Sequence, residues 1–164
     1  MSTKQADLTS VISDVIENLA MMVVEPLPAD QAFEPQLQGW IEFTGPVNGK
    51  FAIRCGEPLA LSLAANLLGT ENLDIQTQAN AWDALAELLN IICGNLVTAL
   101  FDSEKPFTLS VPQINIIPAE EFNDNSTGND VSQTKWPENA NRQTTKLLLD
   151  GHAAEFTLTV EQTK

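Results

Sequence analysis

The sequence predicts an α+β fold, with one antiparallel-rich β-sheet packed by two long helices plus a short one. Apolar residues at helical spacing near the N-terminus and again over about 77–101 supply the long helices. Two pairs of β-rich runs, each joined by a turn, supply hairpins and therefore antiparallel pairing. No 20–50-residue repeat turns the pattern into a solenoid. Leu8, Val11, Ile12, Val15, Ile16, Leu19 and Met22 define a first helix over 7–24, ended by the Pro26–Pro28 region. Trp40 to Thr44 and Lys50 to Cys55 flank Gly45-Pro46-Val47-Asn48-Gly49, a hairpin signal. Pro58 opens and Gly69 closes a short helix over about 58–68. The second long helix ends before Lys105-Pro106, and Phe107 to Val111 reads as a strand running into Pro112. Residues 119–143, rich in Asn, Ser, Thr, Glu and Gly, read as a long mobile connection with Trp136 docking part of it. Lys146 to Leu149 and Ala153 to Val160 close the chain as a hairpin around Asp150-Gly151-His152, which leaves His152 in a solvated turn. The order is α-β-β-α-α-β-β-β in one domain spanning 1–164.

Composition excludes several classes of function. The 164 residues and 43% hydrophobic content suffice for a folded core. Acidic residues number 22 against 8 basic, a net charge of −14, with no Lys/Arg cluster to neutralise phosphates. Nucleic acid and anionic membrane surfaces are therefore poor partners. Met1 to Asp7 shows no basic region leading into an apolar stretch, and no run of 18 apolar residues occurs, so a cytoplasmic chain without membrane insertion is expected. Cys55 and Cys93 lie in apolar surroundings and read as buried thiols. No Ser/His/Asp set, Cys/His pair or metal-ligand spacing is present, so no metal is assigned to the chain.

The most informative feature is a polar stripe on the second long helix. Leu85, Leu88, Leu89, Ile92, Leu96 and Ala99 supply a wide apolar face. At about 100° per residue, Asp83, Glu87 and Asn90 fall within an arc of about 60° on another face. Glu87 and Asn90 stand about 4.5 Å apart along the axis and lean the same way. Gly94 continues the stripe one turn later, where a missing side chain allows close approach of a partner. Asn at mid-helix is not the cheapest surface choice, because it competes for backbone hydrogen bonds. By geometry alone the triplet is better read as a solvated helix face.

Asp83-x3-Glu87-x2-Asn90, with 21 residues between Asn90 and Pro112, resembles the motif of the CheC/CheX/FliY phosphatases of bacterial chemotaxis. The runs Ile16–Met22 and Ala86–Asn95, with the hairpin and short helix between them, resemble the CheX branch. The resemblance covers most of 7–117 and the final hairpin, and implies a CheC-like fold. CheC-type members carry the motif twice. Here the first helix offers Asp14, Glu17 and Asn18, but adjacent Glu and Asn point about 100° apart and cannot repeat it. The resemblance therefore implies one site per chain and a homodimer joined through sheet edges.

It also implies a substrate, the aspartyl phosphate of a CheY-type receiver domain, whose own Mg²⁺ and lysine stabilise the phosphoryl oxygens, so that this chain binds no cofactor. Asn90 is expected to orient the attacking water and Glu87 to pair with the receiver's lysine, these being the catalytic pair. Asp83 and Gly94 would support or contact the partner, with Asp83 starting or edging the helix. Pro112 would shape the strand end beside it. Asn95, about 140° from Asn90, is expected to bond locally. Two other readings stand beside this one. The first is a non-catalytic module docking a receiver or flagellar-switch component. The second is a structural homodimer whose stripe is wet surface.

Overall fold

The computed structural model describes residues 7–68, 77–101, 105–117 and 141–161. Most of the 119–143 connection, with Trp136, lies outside the described residues. The first helix, α1 (Leu8–Val15), is capped by Asp7, whose carboxylate accepts from the Ser10 N–H at 2.7 Å. It passes into one π-helical stretch, Ile16–Ala20, and stops where Met21 takes the left-handed conformation at φ 55°. The π-helical stretch explains why the helix is shorter than expected. It inserts an extra residue per turn, which shifts the apolar phase. Ala20 is buried while Leu19 faces outward.

The remaining elements are β1 (Val24–Pro26), β2 (Leu37–Thr44), β3 (Gly49–Cys55), α2 (Glu57–Leu68), α3 (Thr77–Leu100), β4 (Thr108–Leu109), β5 (Gln113–Ile116), β6 (Asn141–Leu149) and β7 (His152–Val160). The sheet runs β1-β6-β7-β3-β2, with β4 and β5 both pairing β2 at the far edge, and every pairing is antiparallel. The fold class is thus the expected α+β, with three differences in detail. The strands β1 and β5 are additional. The β6 strand begins at Asn141, so residues 141–143 belong to the sheet and not to the connection. His152 is the first residue of β7, half-buried and paired with Leu149, while Asp150 and Gly151 alone make the turn. Their φ angles of 50° and 84° suit a two-residue hairpin. The Asp150 carboxylate also accepts from the Val23 N–H at 2.7 Å, tying the turn to β1.

Register sets which residues face the helices. Ile41, Phe51 and Leu158 form one cross-strand row, and Leu37, Cys55, Ala154 and Leu147 another, all buried. Phe51 stacks on Phe156 with centroids 6.0 Å apart. From α3 the core receives Leu85, Leu88, Leu89, Ile92, Cys93, Leu96 and Val97. Ala99, expected in that face, is exposed; it lies in the last turn of α3. The opposite sheet face is polar, carrying Arg54 and Lys146 beside Glu155 at 4.0 and 3.8 Å. Cys55 and Cys93 are buried free thiols, and burial pushes both up to about 12. By length and composition Ala81–Leu100, with a mean hydropathy of 1.4, is long and apolar enough to cross a membrane. Its apolar side chains are the ones packed into the core with α1, α2 and the sheet, which is the ordinary signature of a core helix.

Candidate functional site

The polar stripe emerges where the sequence places it. Asp83, Glu87 and Asn90 are exposed, flanked on the core side by Ala84, Leu88 and Leu89, all buried. Those buried residues fix the rotation of α3 about its axis and so aim the stripe outward. Asp83 lies well inside α3, which begins at Thr77, and not at its start. Among the described residues none of the three side chains makes a hydrogen bond or ion pair. Asn95 does: its Nδ2 donates to the Ile91 carbonyl at 2.8 Å, the expected local bond. Asn18 on the first helix likewise donates to the Asp14 carbonyl at 2.7 Å and sits in the π-helical stretch. The Asn90 carboxamide is left available for an external group.

Gly94 is half-buried, and a Cβ built there would meet only Leu109 Cδ1, at 4.0 Å. Packing within the chain therefore does not require glycine at this position. Beyond it the stripe is closed off. Phe101 and Phe107 pack against Phe43 with centroids 6.0 and 5.9 Å apart, and against each other at 6.0 Å.

Pro112 has a structural role that its spacing alone did not reveal. The Ser110 N–H donates to the Glu42 carbonyl at 2.8 Å, and Gln113 pairs with Trp40. Between these two pairings β2 contributes only Ile41, whereas the opposing strand contributes Val111 and Pro112. Two residues against one is a β-bulge, a place where proline's missing N–H costs no ladder bond. The expected strand over 107–111 is in fact the short β4, which this bulge joins to the additional β5. The Ser110 Oγ accepts from the Glu42 N–H at 2.9 Å, holding the bulge against β2.

The bulge runs beside the stripe. Ile114 and Leu89 meet over Gly39, where a Cβ would lie 2.6 and 2.8 Å from their methyl carbons. Leu109 lies against Gly94. The strand therefore descends along α3 from the level of Gly94 to that of Leu89, and Val111-Pro112 lies between those two levels, beside the α3 segment that carries Asn90. Val111 is 75% exposed and was not singled out from sequence. An apolar residue preceding proline was the only available signal.

Two cavities, of about 250 and 220 Å³, are lined by residues outside the stripe. The stripe is exposed and lines neither cavity, which fits a macromolecular partner better than a small molecule. Among the described residues no group of three or more His, Cys, Asp or Glu side chains is placed to hold a metal ion.

The family model for the chemotaxis phosphatase CheX matches residues 37–134. The chain belongs to the CheX family. A comparison with curated proteins finds no match. Among solved structures, this CheX-family chain is similar to one from the CheX–CheY–BeF₃–Mg²⁺ complex of Borrelia burgdorferi, at 20% identity and TM-score 0.67, covering 94% of this chain and 96% of that one. It is similar to CheX from Vibrio vulnificus at 17% identity and TM-score 0.67, covering 98% and 100%. CheX from Desulfovibrio desulfuricans follows at 16% identity and TM-score 0.65, covering 94% and 96%. At these identities the likeness is one of fold, and it extends over nearly the whole of each chain.

Proposed function

We propose that this CheX-family chain hydrolyses the aspartyl phosphate of a CheY-type receiver domain, with Asn90 orienting the attacking water. The observation that carries the reading is the Asn90 carboxamide, exposed and unbonded at mid-helix, one turn from an equally unbonded Glu87. An acyl phosphate is a reactive ester with a good carboxylate leaving group. Its hydrolysis needs chiefly an in-line water and charge stabilisation on the phosphoryl oxygens. The second need is met by the receiver, through a Mg²⁺ and a lysine of its own. For the first, a neutral carboxamide accepts a proton of the water without repelling the phosphoryl anion as a carboxylate would.

Glu87 pairs with the receiver's lysine and fixes the docking register, and Asp83 adds a supporting contact at the rim. Two carboxylates four residues apart on one helix face repel by about 0.2–0.5 kcal/mol, so helix stability does not account for them. The Borrelia burgdorferi complex of CheX with CheY, BeF₃ and Mg²⁺ supports a receiver as the partner. The reading includes a homodimer joined at a sheet edge, for which the outer side of Asn141–Thr145 in β6 is open among the described residues. It places the chain in the cytoplasm, without membrane insertion, nucleic acid or a cofactor of its own.

The test is Asn90→Ala against purified receivers loaded with a radiolabelled phosphoryl donor. A water-positioning group contributes about 10²-fold, or about 2.7 kcal/mol. Phosphoryl decay should slow by about that factor while receiver binding stays within about twofold. Equal decay with wild type and Asn90→Ala on every receiver of the source organism would leave the non-catalytic docking module as the function.

A further inference from the structure

We propose that Val111, pushed out by the β-bulge, is the apolar contact that seats the receiver domain against Asn90, and that it governs substrate affinity. The inference rests on the receiver reading above and extends it to a residue outside the Asp83–Gly94 stripe. Three observations converge on this position. Val111 is 75% exposed, whereas its neighbours in the same strand, Leu109 and Ile114, are half-buried against α3. Its backbone is braced on both sides: the carbonyl accepts from Ser110 Oγ and from Gln113 Nε2, each at 3.4 Å. Its place in the chain, between Leu109 against Gly94 and Ile114 against Leu89, borders the α3 segment 89–94 that carries Asn90.

A β-bulge re-aims side chains and ends regular pairing, and bulges concentrate beside active sites. Here the two-against-one pairing leaves Val111 outside the ladder, with its side chain exposed. A partner that brings its phosphoryl group to Asn90 is in reach of Val111 at the same time. The stripe itself offers only polar atoms, which orient a partner but hold it weakly in water. A braced valine beside it supplies the desolvated contact, and its rigidity limits the entropy lost on docking. The residue is a positioning residue, since it touches the partner and not the reacting atoms.

The experiment uses the full chain as wild type, Val111→Ser and Val111→Ile, with each CheY-type receiver of the source organism in its radiolabelled phosphorylated form and in its beryllofluoride-loaded form. Val111→Ser should raise KM and the beryllofluoride-complex Kd about tenfold, the scale of one buried valine side chain. The value of kcat should stay within twofold and the melting temperature unchanged. Val111→Ile should restore affinity. Unchanged KM and Kd in Val111→Ser overturn the proposal, as does a fall in kcat at constant KM. So does a dimer that Val111→Ser dissociates while receiver affinity is retained, because the face then belongs to a second copy. A wild type that binds receivers without hydrolysing them removes the catalytic reading but leaves Val111 judged by Kd. A wild type that binds none overturns both.

Discussion

Gly94→Ala separates the requirements of the fold from those of the site, because the two predict opposite signs. In the interior of α3 a glycine is less favourable than alanine by about 0.8–1.0 kcal/mol. The added Cβ meets only Leu109 Cδ1 at 4.0 Å, an ordinary van der Waals distance, so no clash offsets the gain. The Thr98 hydroxyl donates to the Gly94 carbonyl at 2.9 Å, a backbone bond that the substitution leaves intact. The variant should therefore be more stable by about 1 kcal/mol, which for a chain of this size raises the melting temperature by roughly 2–4 °C. On the stripe, however, the new methyl extends about 1.5 Å beyond the backbone next to Asn90. A misplacement of about 1 Å at a reacting centre costs on the order of 10²-fold in rate. Calorimetry alongside phosphorylated-receiver decay should show a higher melting temperature together with decay slowed 10- to 100-fold. A higher melting temperature with unchanged decay refutes Gly94 as clearance for the partner. A lower one refutes the account of open space at Leu109.

Further predictions concern the partner and the core. Glu87→Lys places a cation opposite the receiver's lysine and should weaken association by about tenfold or more, measured by titration with a beryllofluoride-loaded receiver, while the melting temperature holds. Phe156→Ala removes a fully buried ring stacked on Phe51 and should cost about 3–5 kcal/mol in denaturant unfolding. The thiols of Cys55 and Cys93 sit near 12 in the native state against 9.0 for an unperturbed thiol. Between those values the unfolded chain releases protons that the folded chain retains. Stability should thus be intact below pH 9 and fall as pH rises from about 9 towards 12, by up to about 1.4 kcal/mol per pH unit for each thiol. Urea unfolding at pH 8 and pH 10 should show that decline, and a Cys55→Ala/Cys93→Ala double variant should show a shallower one.

The parts of the fold legible in sequence are those in which one strong periodicity survives to the surface. The α3 stripe is such a case, since its nine-tenths-buried apolar residues and exposed Asp83, Glu87 and Asn90 follow one 3.6-residue pattern. The first helix follows its pattern only as far as Ile16, because a π-helical turn has no compositional signature and silently rotates Leu19 out and Ala20 in. The first half of β6 was illegible for a related reason. Its register turns Asn141, Gln143 and Thr145 towards the helix side, yet none is apolar, so no alternation marks a strand. Thr145 is held instead by a hydroxyl bond from Thr9 at 2.8 Å. Gly39 obscured the start of β2. It looks like a breaker, but its missing side chain leaves room for Leu89 and Ile114 to converge. The bulge at Val111-Pro112 could not be read at all, because it exists only as a mismatch between two strands.

That mismatch explains how a motif spread over two elements can act as one site. Asn90 is aimed by the core, because a slip of α3 by one residue would swing it about 100° into the space Leu89 fills. Val111-Pro112 is aimed by β2, through the Ser110–Glu42 pair and the pairing of Gln113 with Trp40. The two are then locked to each other by the contacts between Leu89 and Ile114, by Leu109 against Gly94, and by the Phe43–Phe101–Phe107 cluster. Together these contacts join the end of α3 to the β2 edge, so among the described residues the carboxamide and the bulge belong to one packed unit. On the proposed function, a receiver would meet polar and apolar parts already packed on one unit. Of the residues between Asn90 and Pro112, those up to Phe101 and those from Phe107 onward meet at Phe43, and β4 then returns along the edge beside Gly94.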